Sequence, residues 1–478
     1  MRIYFMGICG TAMGNAALLM RQCGHEVLGA DTGVYPPMST TLEASGIRIL
    51  EGYSPERLEK LAPDLVVVGN AHSRGHPEVE WLLNERKIAF TSVPELLNRF
   101  ILSARHNIVV SGTHGKTTTS AMTAFLLSQT GHHPGWLVGG VPRDLPSGAE
   151  LGGVNAPFVI EGDEYDSAFF DKRSKFIHYN PRILIVNNVE MDHADIFRDF
   201  ADVLRTFRHV SRIVPGRGWI LLNGDDEGAK GILPCPWTQV LTVGVSEGCG
   251  LRLADFSDGP SGASFKLLWK GRTIPVKLAV NGLFNARNAA MAILSSALAV
   301  TTAPGELPEL ETHAAAIATF VGVHRRQEVL VDTPKVVAIE DFGHHPTAIA
   351  CTLDALRAHY PGRRTVAVFE PRSNTAVTNL FQKDFTAALA HADVALIGHV
   401  HRAEKLAADK RLDTAAMAAA LVASGREALA ATDNAQILAR LAAISEESAA
   451  KPALVVFFSN GSFDGIIGRF AETARMSR

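Results

Sequence analysis

Cysteine is scarce in this chain. Five cysteines (Cys9, Cys23, Cys235, Cys249 and Cys351) are spread over 478 residues, with no CxxC pair. An odd, scattered set excludes a disulfide framework and a zinc-finger pattern, and it suits a reducing cytosol. Net charge is equally low: 46 Lys plus Arg against 49 Asp plus Glu leave −3. That balance lacks the basic excess of a protein that coats nucleic acid or a membrane surface, though it permits a local cationic pocket. Long apolar runs are missing too. Stretches such as 65–68 and 454–458 have strand length, against about 18 residues for a spanning helix. The opening MRIYFMGICGTAMG carries one Arg and early glycines but no charged region, apolar core or cleavage site of a secretory signal. The expectation is a cytoplasmic protein with neither membrane nor nucleic acid as partner.

What is present suffices for several cores. Hydrophobic residues make up 47% and charged residues 20%, and a typical domain size of about 150 residues predicts roughly three domains. Apolar segments of strand length alternate with helical patterns, starting with 2–8, a helical stretch to Cys23, then 26–30, 64–69 and 88–92. Alternation of this kind implies βαβ units and parallel sheets. The cycle restarts at 107–112 and at 336–342, placing boundaries near 103–106 and 320–324. Between Trp219 and Val280 the pattern shortens and alternates, which predicts an antiparallel insertion. The Pro- and Gly-containing stretch 301–312 reads as a surface loop or as the approach to the second boundary. The Ala-rich stretches after Glu404 have helix-forming composition.

One motif anchors the functional reading. Residues 108–119 run IVVSGTHGKTTT: an apolar strand, a glycine loop and the start of a helical run. Glycines at Gly112 and Gly115 let the backbone N–H groups and the helix N-terminus point at phosphate oxygens. Lys116 supplies a charge for the terminal phosphates, and the Thr117 hydroxyl can ligate Mg²⁺. The spacing departs from the general phosphate loop, because Val110 stands where the first glycine is usual and Gly112 comes only three residues before Gly115.

Other residues gather around this motif by type and position. Glu161 ends an apolar strand and is followed by Asp163, Glu164 and Asp166, while His193 follows the apolar stretch 183–189. Ligands of open parallel sheets lie beyond the carboxyl ends of strands, so Thr117, Glu161 and His193 can converge there. A hydroxyl and a carboxylate suit the hard cation Mg²⁺. Imidazole prefers softer metals, and a hydrogen-bonded structural role for His193 competes with ligation. Asn285 and Asn288 share a helix face at i, i+3. Asn offers both donor and acceptor, as an adenine edge requires, while Asn285 reads at least as well as a helix N-cap. Gly7, Gly10 and Gly14 sit between strand and helix without the G-x-G-x-x-G spacing, and Asp31 ends the second strand.

The wording GTHGKTTT resembles the Mur ligases, the ATP-dependent ligases that build the peptide of bacterial peptidoglycan. The resemblance extends over essentially the whole chain: GICGTAMG (7–14), EGDEYD (161–166), MDHAD (191–195), NARN (285–288) and DFGHHPT (341–347) all match family segments. It implies an α/β chain of three domains. These are a Rossmann-like N-terminal domain (1–104) for a uridine-diphosphate sugar, a central phosphate-loop ATPase domain with a mostly parallel sheet (105–321), and a C-terminal Rossmann-like α/β domain (322–478) for the peptide.

Residue by residue, the resemblance implies that Gly7, Gly10, Thr11, Gly14, Asp31, Asn70 and His72 bind the UDP-sugar. Gly112, Thr113, His114, Gly115, Lys116, Thr117, Thr118, Asn288, Arg325, Arg326 and Asp341 would serve ATP, and Thr117, Glu161 and His193 would hold Mg²⁺. One of Arg325 and Arg326 would reach the γ-phosphate, and at most one of His344 and His345 would be catalytic, with His344 favoured. Arg372, Ser373 and Asn374 would meet the carboxylates of a peptide; without the family they are a polar loop. One departure stands out. Several family members carry a carbamylated lysine after the DH pair, whereas here no Lys occurs between Lys175 and Lys230, and the matching stretch is 206–209, TFRH. No carbamylation is expected.

The DxxHHPT form belongs to the muramate-using members. FFDKRSKF (169–176), HADIF (193–197) and EPRSNT (370–375) resemble the branch that joins UDP-N-acetylmuramate to L-alanyl-γ-D-glutamyl-meso-diaminopimelate, a tripeptide salvaged from old wall. Addition of free L-alanine is the alternative within the family. A nucleotide-binding regulator without ligase activity is the alternative outside it.

Overall fold

The computed structural model describes residues 1–301, 306–448 and 450–476. Residues 302–305 of the expected loop lie outside that set, and its far end already belongs to helix Glu311–Ala316.

Three sheets organise the chain. The first has five parallel strands in the spatial order Arg48–Glu51, Glu26–Asp31, Arg2–Met6, Leu65–Val68 and Ala89–Ser92. The order reverses between Arg2–Met6 and Leu65–Val68, and a crevice opens beyond the strand ends at such a switch point. The loops carrying Gly7 and Asn70 leave those two strands.

The second sheet has ten strands, with Asn107–Ser111 parallel to Pro181–Val186 on one side and to Phe158–Glu161 on the other. Residues 108–110 of strand Asn107–Ser111 are all apolar because both faces of the strand are covered. Ile108 and Val110 belong to one buried cluster with Met122 and Ile293 of the covering helices, and Val109 to another that extends to Ile3 and Phe5 of the first sheet. Each such fully buried side chain contributes about 1.5–3 kcal/mol. The expected insertion needs a correction. Trp219–Asn223 and Gln239–Gly244 continue the parallel sheet, and only Leu251–Gly259, Gly262–Trp269 and Arg272–Leu278 pair antiparallel with one another. A helix, Phe200–Ser211, precedes Trp219 and makes the crossover that a parallel neighbour needs.

The third sheet has six strands, all parallel except the edge strand Glu328–Asp332. The Ala-rich stretch forms helix Thr414–Ala423 against it. Among the described residues one helix, Leu283–Val300, is long and apolar enough to cross a membrane, yet 78% of it is buried against the central core. It packs beside helix Lys116–Gln129, which begins at the glycine loop.

His106, at the foot of the central strand, yields a testable consequence. Burial, reinforced by the Arg182 charge, pushes its pKa down to about 4, from about 6.5 in an unfolded chain. The unfolded state therefore binds more protons between those values, so stability is complete above pH 6.5 and declines as pH falls towards 4. Urea unfolding midpoints should fall across that window. His106→Gln should make the slope shallower by up to one proton, and identical slopes would refute the assignment.

Candidate active site

The glycine loop leaves the end of strand Asn107–Ser111 and folds over a cavity of about 580 Å³. Gly112 and Gly115 have φ of 131° and 79°, a region that L side chains rarely adopt. A Cβ on Gly115 would stand 2.7 Å from Asn288 Oδ1, and one on Gly112 would stand 3.0 Å from Asn187 Cβ. The loop thus needs glycine at both positions to lie flat under the neighbouring asparagines. Asn188 Oδ1 accepts the His114 N–H at 2.7 Å and fixes the loop from the side.

Lys116 lies at the centre. Its Nζ donates to Gly112 O at 2.7 Å and pairs with Glu164 Oε2 at 2.8 Å. Burial alone would lower the Lys116 pKa, but Glu164 and Asp163 hold the amine charged, above its ordinary value. Burial opposes the Glu164 carboxylate likewise, and Lys116 overrides it. Glu164 Oε1 lies 3.4 Å from His193 Nε2. Thr117 Oγ1 donates to Glu161 Oε1 at 3.1 Å, while Glu161 Oε2 accepts the Gly139 N–H at 2.9 Å. Two sets of donors emerge. Thr117 and Glu161 offer only oxygen, the donor type of Mg²⁺, and His193 clusters with Asp163 and Glu164. The position matching the family's lysine lies on helix Phe200–Ser211, where Phe207 is buried in the core and Arg208 binds Gly231 O.

The third unit closes the cavity. Arg326 Nη2 reaches within 3.5 Å of Thr117 Oγ1, and its guanidinium lies 4.8 Å from the Phe342 ring centroid. Arg325 turns the other way: its Nε donates to Glu340 Oε1 at 2.6 Å and its Nη2 to Ser459 O and Gly461 O. Of the two expected arginines, Arg326 meets the loop and Arg325 belongs to the fold of the third unit. The Arg325 guanidinium also lies 5.2 Å from the Phe342 ring centroid, and the backbone is left-handed at Arg325 (φ 62°) and Gln327 (φ 50°). Asp341 accepts the Gln327 and Gly343 N–H groups, at 2.9 and 2.7 Å. His344 lines the cavity with its Nδ1 3.1 Å from Phe342 O, and burial holds its pKa at about 4, so it is neutral at pH 7.

The cavity gathers Thr113, His114, Gly115, Lys116, Thr117, Thr118, Glu161, His193, Asn288, Arg326, Asp341 and His344, together with Asn70 from the first unit. Asn285 lies inside helix Leu283–Val300 and donates to Asn281 O; Gly282, not Asn285, is the N-cap. Gly7, Gly10, Thr11, Gly14, Asp31 and His72 lie outside the cavity. Asp31 accepts the backbone N–H of Cys9, Thr32 and Gly33, and His72 pairs with the Tyr53 hydroxyl. Arg372, Ser373 and Asn374 also lie outside it. Arg372 pairs with Glu370, Ser373 Oγ caps Ala376, and Asn374 donates to Asp195 of the central unit at 2.9 Å.

Some site residues carried no individual signal in the sequence. Glu190 accepts from the Thr347 hydroxyl at 2.8 Å, and Asp192 from the Thr375 hydroxyl at 2.7 Å, so both cross to the third unit. Asp192 lies within the MDHAD segment and Glu190 immediately before it, but neither position showed by itself that it would meet the third unit.

A phosphate loop at the carboxyl edge of a parallel sheet, with an arginine delivered by a separate unit, defines a nucleotide-dependent enzyme. Residues 2–105 match the Mur ligase family catalytic domain, 110–296 the Mur ligase middle domain, and 325–461 the Mur ligase glutamate ligase domain. The chain belongs to the Mur ligase family, and is an ATP-dependent ligase that forms an amide bond. It is 44% identical over 396 residues to the UDP-N-acetylmuramate–L-alanyl-γ-D-glutamyl-meso-2,6-diaminoheptandioate ligase of Escherichia coli strain K12, covering 82% of this chain and 84% of that one. Among solved structures it is similar to a murein peptide ligase from Psychrobacter arcticus, with 34% identity, a TM-score of 0.71 and coverage of 99% and 98%. It also shares its fold with a UDP-N-acetylmuramate–alanine ligase from Thermotoga maritima, with 24% identity, a TM-score of 0.77 and full coverage of both chains.

Proposed function

We propose that this enzyme joins UDP-N-acetylmuramate to L-alanyl-γ-D-glutamyl-meso-diaminopimelate, in recycling of wall peptide. The observation that carries the reading is the meeting of Lys116, Thr117 and Glu161 of the central unit with Arg326 of the third. The choice of amine rests on the name of the 44% identical Escherichia coli relative.

The lactyl carboxylate attacks the γ-phosphorus of ATP, the bond to the β,γ-bridging oxygen breaks, and an acyl phosphate and ADP result. The amine of the peptide's L-alanine then attacks the acyl carbon. The tetrahedral intermediate expels phosphate, and the amine proton passes to solvent or to a neutral base. No protein nucleophile is required. Two anions must be brought together, and the chain's work is to place them and neutralise their charge. Lys116 would leave Glu164 to meet the phosphates, and Arg326 would fork onto the transferring group from the opposite side. Thr117 and Glu161 would hold Mg²⁺, with His193, Glu164 and Asp163 as the second donor set. Bound there, the ion would supply further neutralisation of phosphate charge. Asn288 would face adenine above Gly115. His344, neutral and weakly basic, would accept the amine proton. The first sheet's switch point, with Gly7, Gly10, Thr11, Gly14, Asp31, Asn70 and His72, would seat the UDP-sugar, and Arg372, Ser373 and Asn374 the peptide carboxylates. Residues 1–104, 105–321 and 322–478 would then act as sugar, nucleotide and peptide domains.

Competition decides the substrate. With ATP, Mg²⁺, UDP-N-acetylmuramate and equal concentrations of tripeptide and L-alanine, mass spectrometry should find the tripeptide adduct in large excess. A preference for free alanine would transfer the enzyme to the other muramate-using activity. No phosphate release with every substrate present would favour a sensor over a ligase.

A further inference from the structure

A second constellation stands beside the phosphate loop. His114 comes from the loop, Glu190 from the segment after strand Pro181–Val186, and His345 from the residue before helix Pro346–His359 of the third unit. The two imidazole centroids are 4.6 Å apart. Both rings face one atom: Glu190 Oε2 lies 3.5 Å from His114 Nε2 and 3.4 Å from His345 Nδ1. His345 is only 5% exposed, and neither of its ring nitrogens nor His114 Nε2 has a hydrogen-bond partner among the described residues. Buried polar atoms left unpaired cost about 1–3 kcal/mol each, and an ion takes one nitrogen from each ring, so His114 Nε2 and His345 Nδ1 call for a shared partner.

The spacing indicates its kind. A tetrahedral ion with bonds of about 2.0–2.1 Å sets its ligand atoms about 3.3–3.4 Å apart, close to the two separations seen. An octahedral Mg²⁺ would draw neighbouring ligands to about 2.9–3.0 Å and prefers oxygen. Two imidazoles with one carboxylate suit Zn²⁺ and leave a fourth position for water. The Thr347 hydroxyl, donating to Glu190 Oε2 at 2.8 Å, orients the carboxylate from outside.

We propose that His114, Glu190 and His345 form a binding site for Zn²⁺, separate from the oxygen donors Thr117 and Glu161, through which the ion ties the third unit to the phosphate loop. The site does not depend on which amine the enzyme uses.

Equilibrium dialysis of Zn²⁺ against the metal-free full-length protein in excess Mg²⁺ tests it. One tightly bound Zn²⁺ per chain is expected, with a raised thermal midpoint. Co²⁺ in its place should show the strong visible bands of tetrahedral coordination. His345→Phe, which keeps a ring against Phe381, should weaken Zn²⁺ binding by more than about 100-fold, beyond the loss of an outer partner. His193→Gln, in the other cluster, should leave the tight Zn²⁺ in place. Glu190→Gln serves as the second ligand variant if His345→Phe does not fold, with the same loss expected. The proposal is overturned if Mg²⁺ displaces all Zn²⁺. It is equally overturned if tight binding survives loss of the ligand tested.

Discussion

Replacing Lys116 with Met lowers ATP-dependent phosphate release by about 10³-fold or more. Losing one preorganised donor from a water-excluded site costs about 10²–10³ in rate, and Lys116 contributes a full charge where a phosphoryl group carries several. Its Nζ already lies 2.7 Å from the loop carbonyl of Gly112 and 2.8 Å from Glu164, so little reorganisation separates this arrangement from one facing phosphate. A complication is built into the pair. Glu164 is buried, with its side chain 3% exposed, and removing one partner of a buried ion pair destabilises by about 3–5 kcal/mol. His193 remains beside Glu164, and Lys175 beside Asp163, which places the cost toward the lower end. Lys116→Met alone should therefore lower the thermal midpoint as well as the rate. Adding Glu164→Gln removes the stranded charge and should restore much of the midpoint without restoring turnover. Phosphate release within tenfold of the unaltered protein in Lys116→Met would dissociate this loop from the chemistry.

The sequence made the phosphate loop and the three βαβ cycles legible because both rest on local patterns. Residues 108–110 are apolar on both faces, and Gly112 and Gly115 occupy the positions where the backbone must turn left-handed. Tertiary choices were not local. The sequence presented Glu161, Asp163 and Glu164 as one acidic run, and only the fold sends Glu161 to Thr117 and Glu164 to Lys116. Asn285 looked like a helix start, but Gly282, with φ of 103°, took the cap and moved the asparagine inside. Residues 219–244 shared short, punctuated segments with the hairpins that follow, so parallel strands passed for part of an insertion. Glu190 and Thr347 lie 157 positions apart and gain meaning only where two units touch.

The neighbouring arginines give the sharpest contrast. Arg326→Ala should lower kcat by about 10³-fold, at the lower end of what an arginine presented to a transferring phosphoryl group provides, with a smaller change in KM for ATP. Among the described residues, the contacts of Arg326 are the Thr117 hydroxyl at 3.5 Å and the face of Phe342. Burial lowers its pKa from the ordinary arginine value, against the favourable charges of Asp341 and Glu161, yet the group stays charged, so a guanidinium with no ion pair to a carboxylate among the described residues waits beside the loop. Its stabilisation is realised when negative charge arrives, which is the condition for raising kcat rather than ground-state affinity. Arg326→Lys keeps the charge but loses the planar fork and the stacking on Phe342, so it should recover only part of the rate. Arg325→Ala should behave differently. It breaks the pair with Glu340 and frees the carbonyls of Ser459 and Gly461, costing about 2–4 kcal/mol of stability while kcat changes by less than about tenfold. Steady-state kinetics beside thermal melts of the three variants separate the roles. If Arg325→Ala abolished turnover and Arg326→Ala spared it, the arginine facing the phosphate would be the one now bonded into the third unit, and that unit would have to rotate before catalysis.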